Sequence, residues 1–192
     1  MPHHARGYTA RMSLAHAVLT SLLEKPSSGY DLARRFDKSI GYFWHATHQQ
    51  IYRELARMEA AGWVASSVPA DAGKTRKKEY RVLPAGRQEL ARWAAQSSPP
   101  MDLRDEFMVK LRADAVLSEV DLRPELARHL ALHREKLAHY QSIEQSDFET
   151  GAVLSRHALI QHMILKKGIL YEHSSIAWTL EMLAALDHLA AG

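Results

Sequence analysis

The stretch THQQIYRELARMEAAGWV, residues 47–64, decides how the chain folds. Thr47 followed three residues later by Gln50 is the reciprocal capping pair that opens an α-helix. Ile51, Leu55 and Met58 recur at i, i+4 and i+7 and form a buried stripe. At about 100° per residue, Gln49, Arg53, Ala56 and Ala60 fall on the opposite pole, with Gln50 and Tyr52 flanking it. Gly62 is a natural stop. The stretch therefore predicts a short amphipathic helix, crowded at its leading end with amides, a phenol and a guanidinium, that runs into a strand.

Working outward, two short helices precede it. Ser13 can cap a helix carrying Leu14, Ala17, Val18, Ser21 and Leu22 on one stripe. KPSSG, residues 25–29, ends it. A second helix runs from about Tyr30 to Lys38 with Leu32, Ala33 and Phe36 turned inward. Ser39–Ala46 reads as a loop holding Phe43 and Trp44. Downstream, WVASSVP (63–69) and KKEYRVL (77–83) are strand-like, and DAGKTRK (71–77) between them is a turn rich in glycine and base. A further helix carries Leu90 and Trp93 from Ala85 to about Gln96. Trp44, Trp63 and Trp93 read as core or interface residues.

SSPPMD, residues 97–102, is the clearest boundary. Beyond it the pattern is helical throughout: 103–117, 124–144 and 153–189. The middle helix carries Leu126, Leu130, His133, Leu137 and Tyr140. The last carries Ile160, Ile164, Gly168, Tyr171, Ser175, Trp178 and Met182 close to a 3.5-residue repeat, and Leu165, Ile169, Ile176, Leu180, Leu183 and Leu186 widen its apolar stripe. A helix apolar over so much of its circumference needs more than one partner. A dimer is therefore expected, with Ile160, Ile164, Tyr171, Trp178 and Met182 packing between copies. An aromatic pocket at the dimer axis is the alternative use of Tyr171 and Trp178. The domain division expected is 1–12 as a disordered arm or alternative start, 13–97 as one domain and 103–192 as the dimerisation or effector domain.

Charge separates along the same boundary. Residues 12–97 carry 13 Lys/Arg against 8 Asp/Glu, a net of +5; residues 98–192 carry 10 against 14, a net of −4. The basic half suits a polyanion partner. The absence of cysteine excludes a disulfide framework, a thiolate metal site and a thiol nucleophile, and fits a reducing cytosol. No apolar run approaches the roughly 18 residues of a membrane span, and the N-terminus lacks a signal-peptide core, so a cytoplasmic location is expected. There is no Gly-rich phosphate loop, HExxH or GxSxG, so no enzyme is expected. Among 12 histidines, His129 and His133 have chelating i, i+4 spacing, but His133 lies on an apolar stripe. No metal and no cofactor are expected.

Three short helices followed by a basic hairpin make a winged helix-turn-helix, and the overall class expected is mainly α with a two-stranded wing. An α-helix fits the major groove of B-DNA and reads base edges with its first residues. On that reading Thr47, His48, Gln49, Gln50, Tyr52 and Arg53 form the leading contact: Gln49 and Gln50 suit adenine edges, and Arg53 suits guanine or a phosphate. Tyr52 can equally pack against the second helix or the wing. Lys74, Arg76 and Lys77 would straddle the phosphate backbone.

SLAHAVLTSLLEKPSSGYDLARRF, FWHATHQQIYRELARMEAAGWV and GKTRKKEYRVLPAGRQELARW resemble the PadR-type transcriptional regulators across residues 13–96. The signals are Gly29-Tyr30, Phe43-Trp44, Ile51-Tyr52 and Tyr80-Arg81 with Gly86-Arg87. The helical tail after PPMDLRDEFMVKLR resembles the longer subgroup, whose C-terminal domain dimerises. The resemblance implies a homodimeric bacterial repressor on a double-stranded inverted-repeat operator, often relieved by a small aromatic or hydrophobic effector. Leu83 stands where the family usually has a Thr cap, which weakens that helix start by about 1 kcal/mol unless another group caps it. Two other readings remain open: a winged helix that docks proteins, and a small-molecule or metal sensor without direct DNA binding.

Overall fold

The computed structural model describes residues 5–37, 46–68, 77–98, 100, 104–117, 120–148 and 153–191, without the side chains of 5–13, 37, 190 and 191. The chain divides into two compact units, Met1–Pro100 and Met101–Gly192, so the break falls inside SSPPMD.

The first unit runs α1 (Ala5–Glu24), β1 (Ser27–Ser28), α2 (Gly29–Asp37), α3 (His48–Ala60), β2 (Val64–Ser67), β3 (Glu79–Val82) and α4 (Pro84–Ala94). Helix α1 starts at Ala5, so Ser13 lies inside it and does not cap it. Residues 5–12, expected as an arm, are helical. Ala5, Arg6, Ala10, Arg11 and Met12 are good helix formers, and each residue added to an existing helix gains a hydrogen bond without a new nucleation cost. Ala15, Val18, Leu19 and Leu22 of α1 are buried with Leu32, Ala33 and Phe36 of α2, Ile51, Leu55 and Met58 of α3, and Val64 of β2. Tyr80, Val82, Trp63 and Leu90 pack on its edge. Trp93 is no core residue: it is half-exposed and stacks at 4.3 Å on the buried ring of His16, whose Nε2 lies 3.2 Å from a Glu89 carboxylate oxygen.

The sheet has three strands in the order β1-β3-β2, all antiparallel, so the expected β2–β3 hairpin gains a third member. That member comes from KPSSG, where Pro and Gly signal only a turn. Arg35 holds it in place. Its guanidinium donates to the carbonyls of Ser21 at 2.5 Å and Lys25 at 2.7 Å and to the Ser27 hydroxyl at 2.6 Å. These bonds satisfy the end of α1 and fix the chain as it enters β1. Desolvation lowers the Arg35 pKa from its ordinary value, and the nearby carboxylates of Glu24 and Asp31 oppose that shift.

The second unit contains α5 (Glu106–Leu117), α6 (Arg123–Phe148) and α7 (Arg156–Ala191). Helices α6 and α7 run antiparallel: Arg123 reaches Asp187 at 3.2 Å, His133 reaches Glu172 at 2.5 Å, and Glu144 reaches His162 at 2.7 Å. The face of α7 turned to α6 repeats every three or four residues, through Leu165, Ile169, Glu172, Ile176, Thr179 and Leu183, all buried or half-buried. The two polar members are accommodated: Glu172 by His133, and Thr179 by donation of its hydroxyl to the Ser175 carbonyl. Gly168 lets the helices close together, since a Cβ there would sit 3.1 Å from the Tyr140 ring. Among the described residues no helix is long and apolar enough to cross a membrane, and no group of three or more His, Cys, Asp or Glu is arranged to hold a metal ion.

Candidate nucleic-acid interface

Helix α3 is built as its sequence predicts. Thr47 caps it: its hydroxyl accepts from the Gln50 amide at 3.2 Å, and the Gln50 side-chain oxygen accepts from the Thr47 amide at 2.8 Å. Its exit is a Schellman turn. Gly62, at φ 71°, places its own amide on the Glu59 carbonyl and the Trp63 amide on the Met58 carbonyl. Between these ends Ile51, Leu55 and Met58 are sealed, while Gln49, Arg53, Ala56 and Ala60 are exposed. Glu54, absent from the sequence-derived stripe, is also buried and is held by Arg57, which lies over the Trp63 ring at 5.5 Å.

The helix is braced to the sheet. One carboxylate oxygen of Glu59 accepts the Ser66 hydroxyl at 2.6 Å and the Ser66 amide at 3.0 Å. Those donors lower the Glu59 pKa against a smaller opposing effect of burial. Tyr80, on the central strand, has its phenol raised first by burial and then by Glu59 and Tyr52. Helix α3 and strand β2 are thus tied together through Glu59 and Ser66.

The sequence-derived contact residues divide accordingly. Thr47, His48, Gln49, Gln50, Tyr52 and Arg53 lie together on the exposed leading end of α3. Gln50 also serves the capping box: its side-chain oxygen accepts the Thr47 amide with one of two lone pairs, and its NH2 takes no part in that bond. Gln49 takes no part in the box. Tyr52 packs against the start of α2, its ring so close to Gly29 that a Cβ there would meet it at 2.5 Å, and it stays 45% exposed. Lys77 is exposed at the foot of β3; Lys74 and Arg76, like Phe43, Trp44 and His45, lie outside the described residues. Tyr30 and Arg34 border the same surface, and no periodic signal marks them. Leu83 precedes α4 without any side-chain cap, and Pro84 occupies the first turn, where the missing N–H has no helical partner to lose.

On α7, Ile160 is 43% exposed, Ile164 46%, Tyr171 54% and Trp178 39%, and Met182 is half-buried. Tyr171 still meets α6, its ring edge-on to His133 with centroids 6.2 Å apart. His129 and His133 each face a carboxylate, Glu125 at 3.2 Å and Glu172 at 2.5 Å.

The comparisons with known proteins follow both units. The model of the PadR-like transcriptional regulator family matches residues 18–92, and the virulence activator alpha C-terminal model matches residues 103–187. A probable transcriptional regulator of Mycobacterium tuberculosis is 42% identical over 92% of this chain and 98% of its own. The structure of the Vibrio cholerae virulence activator AphA is 36% identical, with a TM-score of 0.77 over 92% of this chain and 99% of that one. PadR of Bacillus subtilis, a negative transcriptional regulator, has been solved with operator DNA at 26% identity, a TM-score of 0.79, and 96% and 99% coverage. It has also been solved with p-coumaric acid, at a TM-score of 0.73 over 93% and 97%. Helix α3 with its polar leading end, the three-stranded wing and the long C-terminal helices all fall within matched regions, and the chain belongs to the PadR-like family of transcriptional regulators.

Proposed function

We propose that this regulator is a homodimeric repressor that binds an inverted-repeat DNA operator through α3 and the wing and is relieved by a small aromatic effector. The observation that carries the reading is the capped, braced α3 whose exposed pole holds Gln49, Arg53 and small alanines. Ala56 and Ala60 let the helix lie against the groove wall. Gln49 and Arg53 read base edges, while Thr47 and Gln50 fix the geometry from which they do so. Lys74, Arg76 and Lys77 neutralise phosphates. The exposed stripe of α7 joins two copies, so that each lowers one α3 into successive turns of the duplex. The chemistry is binding alone, and the expected compartment is the cytoplasm. Repression follows the negative regulator PadR. Activation has its own support in the C-terminal match and the AphA likeness, and a reporter placed behind the promoter of this gene separates the two by the sign of its response.

A gel-shift or anisotropy titration on the DNA just upstream of this gene, over a salt series, tests the reading. Saturable binding two to three orders tighter than to random duplex is expected, and release by phenolic acids would identify the effector class. Equal affinity for both duplexes would exclude an operator there, and no duplex binding would favour a protein-docking role. Within the same assay Arg53→Ala should cost about 1–3 kcal/mol at the operator and relax preference at one base position. An unchanged affinity removes Arg53 from the interface. Lys74→Ala and Arg76→Ala should weaken all duplexes alike, each flattening the slope of log K against log salt by about one; a loss confined to one sequence would assign them to base reading.

A further inference from the structure

Tyr30 is the second residue of α2 and is 49% exposed. Two cations lie over its ring: the Arg34 guanidinium carbon at 5.7 Å from the centroid and the Lys77 Nζ at 5.3 Å. Arg34 is one turn further along the same helix. Lys77 arrives from the foot of the wing, and the third strand brings it there. In the β1–β3 pairing Ser27 faces Tyr80 and Ser28 faces Glu79. The pairing ends there, since Gly29 begins α2, and Lys77 lies two residues before Glu79 on the chain that enters β3. Arg35 keeps β1 in this position through Ser27 and the end of α1.

The cluster has excess positive charge. Arg34 and Lys77 are both exposed, and their like charges are held beside one ring. The ring's quadrupole attracts each cation, yet it carries no net charge to cancel theirs. The carboxylate of the same turn, Asp31, keeps its charge but accepts the Ser28 hydroxyl at 2.6 Å and acts on Arg35, so two cations at the ring stand against at most one nearby carboxylate of α2. A guanidinium and an ammonium held beside one ring on an exposed surface suit a phosphate, whose oxygens accept from both. The cluster also adjoins the reading helix, because the Tyr52 ring of α3 lies against Gly29, the neighbour of Tyr30.

We propose that Tyr30, Arg34 and Lys77 form a phosphate-binding station for the DNA backbone, in which the Tyr30 ring holds one cation from α2 and one from the wing at a fixed separation. The inference rests on the DNA-binding reading above and adds α2 to the contact surface. It makes Tyr30 a positioning residue and the two cations sequence-independent contacts.

The test is anisotropy titration of the full chain on the upstream duplex and on a random duplex, from about 50 to about 200 mM salt. Arg34→Gln and Lys77→Gln should each weaken both duplexes in parallel. The advantage of the wild type over either variant should shrink about threefold across that salt range, as expected for one lost phosphate contact. Tyr30→Leu should flatten the slope in the same direction, and Tyr30→Phe, which keeps the ring, should restore most of it. Wild-type slopes in Arg34→Gln and Lys77→Gln would overturn the station while leaving DNA binding intact, as would a loss seen only on the upstream duplex. Tyr30→Leu matching the wild type would overturn the role of the ring. A wild-type protein that binds neither duplex would remove this proposal together with the reading it rests on.

Discussion

Ile164→Glu combined with Trp178→Glu should turn the regulator into a monomer and cut operator affinity by about 10²-fold or more, because two linked half-sites gain 10²–10⁴ over one. Both side chains lie on the face of α7 that α6 leaves uncovered, at 46% and 39% exposure. A glutamate at either position remains hydrated in the isolated chain, so the second unit should keep its helicity. In a two-fold dimer each substitution appears twice across one self-complementary contact. Burying unpaired carboxylates there costs several kcal/mol per pair of sites, more than most apolar contacts return. Sedimentation equilibrium reads the assembly and a DNA titration reads the consequence. Binding to a single half-site should persist in the variant, which separates lost dimerisation from damage to α3. A double variant that stays dimeric would place the subunit contact on another surface.

How legible this was depended on how local each signal is. The capping box, the Ile51–Leu55–Met58 stripe and the Gly62 stop lie within sixteen consecutive residues of one helix and its ends, so sequence alone specifies them. Strand β1 could not be read that way. It is two serines long, and what makes it a strand is pairing with residues 79 and 80, far along the chain. The Tyr30–Lys77 contact depends on that pairing and was equally hidden. The start of α1 was missed because Pro2, the paired histidines and Gly7 obscure the helix formers around them. In α7 hydropathy cannot decide which face meets which partner, since two apolar stripes interleave on one helix. Polar Glu172 and Thr179 belong to the covered face, whereas Ile160, Ile164 and Trp178 stand in the open. Burial of Glu172 requires His133 from α6, a pairing between helices that periodicity within either one does not encode. Gln50 shows the local case again: the spacing that marks it as the partner of the Thr47 cap is met by the bond its oxygen accepts.

The second large effect concerns stability, and its sign is informative. Gly86 lies in the first turn of α4, where helix propensity alone says that alanine should stabilise by about 1 kcal/mol. The surroundings say the opposite. A Cβ at this position would lie 2.3 Å from the Trp63 carbonyl oxygen and 3.0 Å from Val82 Cγ1. The Trp63 carbonyl has little freedom to move: it accepts the Leu83 amide at 2.8 Å, while the Trp63 amide closes the Schellman turn of α3 on Met58 at 2.9 Å. Relief must therefore come from shifting α4 or from opening the exit of the recognition helix. Gly86→Ala should destabilise by about 1–3 kcal/mol, and the branched Gly86→Val by about 3 kcal/mol or more. For a domain of this size each kcal/mol lowers Tm by about 4–8 °C. Thermal unfolding of the two variants decides the matter, since a raised Tm in Gly86→Ala would mean that α4 does not press on the end of α3. If the loss has the expected sign, DNA affinity well below the melting range should fall as well, because the atoms that crowd residue 86 also set where α3 ends and β2 begins.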